Sequence, residues 1–155
     1  MRTTNLVLLA AAGLLLTSCE ALTGKEIGRI AVAAPSTDTT NLVIGETRLT
    51  LHKNDQVQVW SHMDLEYDGE MGMFWVLRLQ RDNMVLQELQ VDPMEKNITI
   101  GEVRTDLGGH TKWSFTGKNA TMSIPEDGNY TCTAILIASN PEALKLTKAE
   151  LVLKQ

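Results

Sequence analysis

Apolar and polar positions alternate along most of this chain, and a continuous apolar run occurs only near its N-terminus. From residue 27 onwards, segments of about five to ten residues are rich in β-branched and aromatic side chains and are bounded by turn residues, which is typical of β-strands. Helical periodicity is nearly absent, so the pattern indicates an antiparallel sandwich or barrel. The predicted strands cover residues 27–33, 47–51, 56–63, 73–81, 84–91, 98–104, 112–115, 120–124, 130–138 and 146–153.

Two short connections carry local signals of their own. Asp82-Asn83 lies between the fourth and fifth predicted strands, and both side chains tolerate positive φ, so a two-residue hairpin turn is expected there. Asn140-Pro141-Glu142-Ala143 predicts a single helical turn.

The N-terminal apolar run has the layout of a signal peptide. Arg2 supplies a positive charge, residues 6–16 are apolar or small, and Ser18 is a small residue before a candidate cleavage site. The run is shorter than the roughly 20 apolar residues that span a bilayer. Leu16-Thr17-Ser18-Cys19 resembles the bacterial lipobox. That resemblance implies cleavage before Cys19 and covalent diacylglycerol and acyl groups on it; the alternative is an ordinary secretory leader with an accidental cysteine.

The lipobox resemblance sets the expected domain organisation. Residues 1–18 form the signal peptide, residues 19–26 the lipidated cysteine and a short tether, and residues 27–155 a single β-sandwich domain. Each buried methylene contributes about 0.8 kcal/mol, so two or three acyl chains hold a protein in a membrane permanently. In enterobacterial lipoproteins an aspartate after the cysteine retains the protein in the inner membrane. Glu20 therefore favours the outer membrane of a bacterial envelope, with the leaflet left open.

Charge narrows the class of partner. The full chain has a formal charge of −5, and Arg2 is the one charged residue of the predicted leader, so cleavage makes the charge −6. A negatively charged domain gains nothing from the phosphate backbone, so nucleic acid is not an expected partner. The expected partners are membrane lipid, through the anchor, and an envelope protein or complex.

The two cysteines leave no pair for a disulfide if Cys19 is lipidated. Cys132 is then a free thiol. Its apolar and β-branched neighbours predict a buried side chain, although an exposed, reactive thiol is the alternative.

One segment resembles the entry to strand F of immunoglobulin-like domains. It runs from Ile124 to Cys132, and Tyr130 stands two residues before the cysteine, where such domains have a tyrosine corner. Trp75 would be the strand C tryptophan. Strand B offers Val59 or Ser61 where the partner cysteine would be, so the resemblance implies a bacterial immunoglobulin-like or fibronectin-like sandwich without the inter-sheet disulfide. The alternative is that both aromatic residues belong to the core of another β fold.

This assignment predicts an apolar patch on an outer sheet face. If Tyr130 points inward, the period of two places Phe74, Val76, Ile135 and Ile137 on the outside of neighbouring strands. Such patches often mark a partner surface. The alternative is that the patch is covered by the N-terminal segment or by residues 41–50.

A second candidate site is acidic. Asp64, Glu66 and Asp68 recur at every second residue and are followed by Gly69, which resembles the first half of a calcium loop. The position of the bidentate glutamate is occupied by Trp75. A solvated acidic loop joining strands B and C is therefore the favoured interpretation, and calcium is not an expected cofactor.

Motifs for nucleophilic, metal-dependent or phosphate chemistry do not occur in the sequence, so an enzyme is not expected. Two function classes remain open. The first is a non-enzymatic interaction or accessory module that its lipid concentrates at the membrane. The second is a lipoprotein that captures glycan or calcium through Asp64, Glu66 and Asp68. A eukaryotic secreted immunoglobulin-like protein is a remote third.

Overall fold

The computed structural model describes residues 23–37 and 40–155. The predicted signal peptide and Cys19 lie outside the described residues. Nine strands and one short 3-10 turn form the described part: β1 (Glu26–Ala31), β2 (Gly45–Leu51), β3 (Gln56–Asp68), β4 (Met73–Arg81), β5 (Met84–Val91), β6 (Ile98–Leu107), β7 (His110–Ser123), β8 (Gly128–Ala138), the turn Pro141–Ala143, and β9 (Leu144–Lys154).

The strands form two antiparallel sheets that pack face to face. The five-stranded sheet has the order β1-β9-β3-β7-β6, and the four-stranded sheet has the order β2-β8-β4-β5. Cys132 is the one cysteine among the described residues, and its thiol is free. The all-β antiparallel sandwich predicted from the sequence, without an inter-sheet disulfide, is confirmed.

The tyrosine corner is present. The Tyr130 hydroxyl donates a hydrogen bond to the Glu126 carbonyl oxygen at 2.6 Å, and the ring is buried. β4 and β8, the expected strands C and F, are neighbours in the four-stranded sheet, as the resemblance implies. The end strands are placed differently, because β9 lies between β1 and β3 and β2 takes the position beside β8.

Side chains alternate between core and surface as the sequence predicts. On β8, Tyr130 and Cys132 point inward with Ala134 and Leu136, and on β4 Trp75 points inward with Leu77 and Leu79. All seven are buried. The period of two therefore assigned the inner face of both central strands correctly.

Two predicted strands, 112–115 and 120–124, are one continuous strand, β7. The predicted gap at residues 116–119 is part of this strand, and β7 keeps pairing with β3 through a bulge at Val59/Trp60. There Asn119 Oδ1 accepts a hydrogen bond from the Ser61 backbone N–H at 3.0 Å. The side-chain amide satisfies a strand donor, so the ladder continues past the irregularity.

The same asparagine holds the crossover from β5 to β6. Its Nδ2 donates to the backbone oxygens of Asp92, at 3.0 Å, and Glu95, at 2.9 Å. The crossover also carries Lys96, whose Nζ lies 4.4 Å from the ring centroid of Trp113. The crossover therefore closes the open side of the sandwich between the two sheets.

Both short connections form as predicted. Asp82 and Asn83 have φ of 52° and 64°, the values of a tight hairpin turn between β4 and β5. Pro141–Ala143 is a single 3-10 turn.

The described part of the chain begins at one end of the sandwich. Lys25 and Gln155 exchange backbone hydrogen bonds of 2.9 Å beside the start of β3. The other end carries the β3–β4 connection and the residues after β8, where Ser139 N–H donates to the Gly72 oxygen at 2.8 Å. β3 has 13 residues, so the two ends are about 40 Å apart.

We predict that the buried thiol of Cys132 lowers the stability of the folded protein at alkaline pH. Burial raises the pKa of its thiol from about 9.0 to about 12, so the folded thiol stays protonated where an unfolded thiol ionises. Above pH 9 the unfolded chain then binds fewer protons than the folded chain, and stability falls as the pH rises towards 12. We expect urea midpoints of the wild type to decline over pH 9–11 more steeply than those of Cys132→Ala. Parallel pH profiles would contradict this expectation.

Candidate functional site

The four residues of the predicted apolar patch lie side by side on the outer face of the four-stranded sheet. Phe74 pairs with Ile137 and Val76 with Ile135, between β4 and β8. Val76 is only 8% exposed, and the other three side chains are half-buried. We call these four residues the outer patch.

The segment before β2 covers part of the outer patch, which was the alternative expected from the sequence. Leu42 and Ile44 line a small hollow of about 30 Å³ together with Val76 and Ile135. The segment is attached at Ser36, whose N–H donates to the Leu136 oxygen at 2.7 Å and whose Oγ accepts from the Val43 N–H at 3.0 Å. The segment before β2 therefore covers Val76 and Ile135, which form one half of the outer patch.

The other half of the outer patch opens into a cleft. Its volume is about 570 Å³, and it lies at the end of the sandwich opposite the N-terminal tether. The cleft is lined by Gly72, Met73, Phe74, Gln90, Val91, Asp92, Glu95, Ile137, Ala138 and Ser139. Ligand and peptide sites commonly combine an apolar floor with a few polar groups at the rim, as here.

The rim of the cleft is acidic. Asp92 and Glu95 contribute carboxylates, and the described lining residues include no cationic side chain. Asp92 Oδ1 accepts a hydrogen bond from the Met94 N–H at 2.7 Å, which fixes that carboxylate. The arrangement suits a partner segment that presents an apolar side chain flanked by a basic one.

The outer face of the five-stranded sheet has the opposite character. Arg29 pairs with Glu26 at 2.7 Å and also contacts Glu150. Hydrogen bonding to Glu26 raises the pKa of Arg29 further above its usual range. Ion-paired faces of this kind are well solvated. The β1–β9 part of this face therefore carries ion pairs, whereas the outer patch of the other sheet is apolar.

The acidic residues do not form the loop that the sequence suggested. Asp64, Glu66 and Asp68 are in β3, which runs five residues further than predicted. The expected B–C loop is wrong because these positions pair with strands on both sides. Alternate residues of a strand are about 7 Å apart, so their carboxylates form a row along one face.

Basic side chains pair with two of these three carboxylates, those of Glu66 and Asp68. Glu66 Oε1 lies 3.1 Å from Lys112 Nζ and its Oε2 lies 3.5 Å from Lys145 Nζ. The hydrogen bond from Lys112 lowers the pKa of Glu66. Asp68 Oδ1 lies 2.9 Å from His110 Nδ1. Among residues 23–37 and 40–155, no group of three or more metal-binding side chains is arranged to hold an ion.

The sequence predicted β5 and β6 as strands, but it did not predict that many of their apolar side chains are exposed. Nine large apolar side chains of the described part are exposed, and seven of them belong to these two strands: Met84, Val85, Leu86, Ile98, Ile100, Val103 and Leu107. Apolar residues stand at both odd and even positions of these two strands, so the period of two did not show which of their side chains are exposed.

The described residues contain no helix long and apolar enough to cross a bilayer. Comparison of the chain with protein-family models finds no matching family, and comparison with curated proteins finds no similar sequence.

Proposed function

We propose that this protein is a lipid-anchored, non-enzymatic interaction module of a bacterial cell envelope. In this proposal Cys19 carries the diacylglycerol and acyl groups, and the outer membrane is the favoured location. The partner is an envelope protein or complex, not nucleic acid. One observation supports binding of a partner protein: the uncovered half of the outer patch, Phe74 and Ile137, lines a cleft of about 570 Å³.

The position of the cleft supports simultaneous anchoring and binding. The chain enters the sandwich at Lys25, beside Gln155, whereas the cleft lies at the opposite end. A tether from Cys19 to Lys25 spans no more than about 25 Å when extended. A lipid that holds the domain near the membrane would also raise the effective concentration of a membrane-bound partner.

If the partner binds at the cleft, a substitution in the cleft should abolish partner binding while a substitution elsewhere on the same face should not. We expect Ile137→Asp to abolish co-purification of the native partner after mild detergent extraction, because it places a charge in the apolar floor of the cleft. Thr131→Asp is the matched control, since Thr131 is on the same outer face of β8 but beside Gln80, away from the cleft. Circular dichroism and the melting temperature check that both variants fold.

A second variant protects this test against a folding defect. Glu95→Lys reverses the charge at the exposed rim without entering the core, and we expect it to weaken partner capture. If Ile137→Asp is folded and still captures the same partner as the wild type, docking at the cleft is wrong.

The anchor has its own test. We expect Cys19→Ser to lose incorporation of a palmitate analogue and to move from the membrane fraction to the soluble fraction, since acyl chains supply the membrane affinity. A wild-type protein whose mature N-terminus lies elsewhere and that carries no acyl mass would contradict lipidation. That result would contradict lipidation only, because the cleft variants test partner binding separately.

A glycan- or calcium-capturing lipoprotein remains the second proposal. Its calcium form uses Asp64, Glu66 and Asp68, and the contacts of Glu66 with Lys112 and Lys145 weigh against it because a cation would have to displace both amines. Millimolar calcium should raise the melting temperature if this proposal holds, and Asp68→Ala should remove the rise.

A further inference from the structure

β6 forms an unprotected edge of the five-stranded sheet. One side of it pairs with β7, and the other side has no partner strand among the described residues. All ten of its residues are exposed, including Val103 at 69% and Leu107 at 79%. Edge strands of this length are templates for pairing with another strand.

The backbone of β6 is arranged to accept such a strand. Gly108 and Gly109 have φ of 59° and 87°, which defines a type I′ turn between β6 and β7. The closing pair Leu107 and His110 then exchanges backbone hydrogen bonds, and these bonds alternate along the hairpin. The N–H and C=O groups of Arg104 and Asp106 consequently point away from β7, towards the open edge.

The side chains of β6 are complementary to themselves. If a second β6 runs antiparallel about a two-fold axis at Thr105, Arg104 of each copy stands opposite Asp106 of the other. In the same register Val103 stands opposite Leu107. Opposite charges then pair on one face and the two most exposed apolar residues pair on the other. Pairs of both kinds stabilise antiparallel strands.

The charged residues are already held in a suitable position. Arg104 Nε lies 2.9 Å from Asp106 Oδ2, and the Thr111 hydroxyl donates to Asp106 Oδ1 at 2.5 Å. The hydrogen bond from Arg104 lowers the pKa of Asp106, so it favours the charged form of the carboxylate. Little side-chain reordering is needed when a second copy brings the opposite charge.

We propose that β6 is a homodimerisation edge. Two copies pair β6 with β6 in antiparallel register centred on Thr105, and two five-stranded sheets become one sheet of ten strands. The regular run is limited at one end by the Gly108-Gly109 turn and at the other by the register shift between Thr99 and Glu102. The contact is therefore short.

The interface is separate from the cleft, so this inference does not depend on the proposed partner site. Because the copies are antiparallel, their tethers leave at opposite ends of the joined sheet. A dimer held on one membrane would lie with its strands along the surface.

Charge exchange tests the register. Arg104→Asp places two acidic residues opposite two others in a homodimer, and Asp106→Arg places basic residues opposite basic residues. We expect each single variant of the full chain in detergent to weaken self-association by about tenfold or more, as measured by sedimentation. An equimolar mixture of the two variants restores opposite charges at both pairs, so heterodimers should form with affinity near that of the wild type.

The double variant Arg104→Asp/Asp106→Arg is the matched control, because it recreates both pairs within one chain and should dimerise. Thr105→Cys provides a second measurement in a Cys19→Ser background. At a two-fold axis it should form an intermolecular disulfide under mild oxidation, whereas Thr147→Cys, exposed on β9, should not. A wild type that stays monomeric at millimolar concentration would overturn the proposal, as would a mixture that fails to associate.

Discussion

Trp75→Ala is expected to lower the free energy of unfolding by about 3–5 kcal/mol. The indole is 0% exposed and lies on β4 between the two sheets, within the cluster that contains the inner residues of β8. Removing it costs the transfer free energy of the ring and leaves a cavity that two hydrogen-bonded sheets cannot close. A loss of this size is a large part of the roughly 5–15 kcal/mol that stabilises a typical domain. Equilibrium urea unfolding at neutral pH measures it.

A phenylalanine variant separates shape from polarity at this position. The Trp75 Nε1–H finds no acceptor among the described residues, so Trp75→Phe loses no hydrogen bond and should be much less destabilising than alanine. Trp113→Phe is the comparison, because Trp113 Nε1 donates to Glu102 Oε1 at 2.7 Å. Equal losses for Trp75→Phe and Trp75→Ala would show that the cavity argument is wrong.

Tyr130→Ala is expected to have the second large effect, also about 3–5 kcal/mol, because it removes a fully buried aromatic side chain from β8. Tyr130→Phe keeps the ring and removes only the hydroxyl that bonds the Glu126 oxygen, so it should cost about 1–2 kcal/mol. Arg81 strengthens the same corner, with Nη2 at 2.5 Å from Glu126 Oε2 and Nη1 donating to the Asp127 oxygen. Chemical unfolding curves of both variants measure the two contributions.

Tyr67→Phe is the control for the tyrosine corner. Tyr67 is also buried, but it lies within β3 and not at a corner, so loss of its hydroxyl should change stability by less than loss of the Tyr130 hydroxyl. If the two phenylalanine variants are equally stable, the corner hydrogen bond contributes nothing beyond the packing of the ring.

The sandwich presents three surfaces of different chemistry. The outer face of the five-stranded sheet carries ion pairs such as Glu66 with Lys112, and the outer face of the four-stranded sheet carries the outer patch. The third surface is the exposed edge of β6. Partner docking and self-association therefore use different parts of the molecule in the two proposals, and variants at Ile137 and Arg104 can separate them.

The outward direction of the patch side chains was predictable, because alternation within a single strand decides which face a side chain is on. The period of two placed Phe74 and Ile137 on the outside once Tyr130 was assigned inward, and the structure pairs them across β4 and β8. The sequence offered cover of the patch by residues 41–50 as an alternative, but it could not decide whether that cover forms or which residues it reaches. Leu42 and Ile44 reach Val76 only because Ser36 is hydrogen-bonded to β8, about 100 residues later in the chain.

The sequence by itself determined the strand content, the inward residues of β4 and β8, the tyrosine corner, the hairpin at Asp82-Asn83 and the burial of Cys132. These features follow from backbone sterics and from neighbours a few residues apart. Only the tertiary structure decided that β9 joins β3, that Asn119 bridges a bulge inside one long β7, and that Asp64 to Asp68 extend β3. It also decided that β6 is an edge. Strand order and edges depend on contacts between residues far apart in the chain, and many pairings satisfy the same local alternation of apolar and polar side chains.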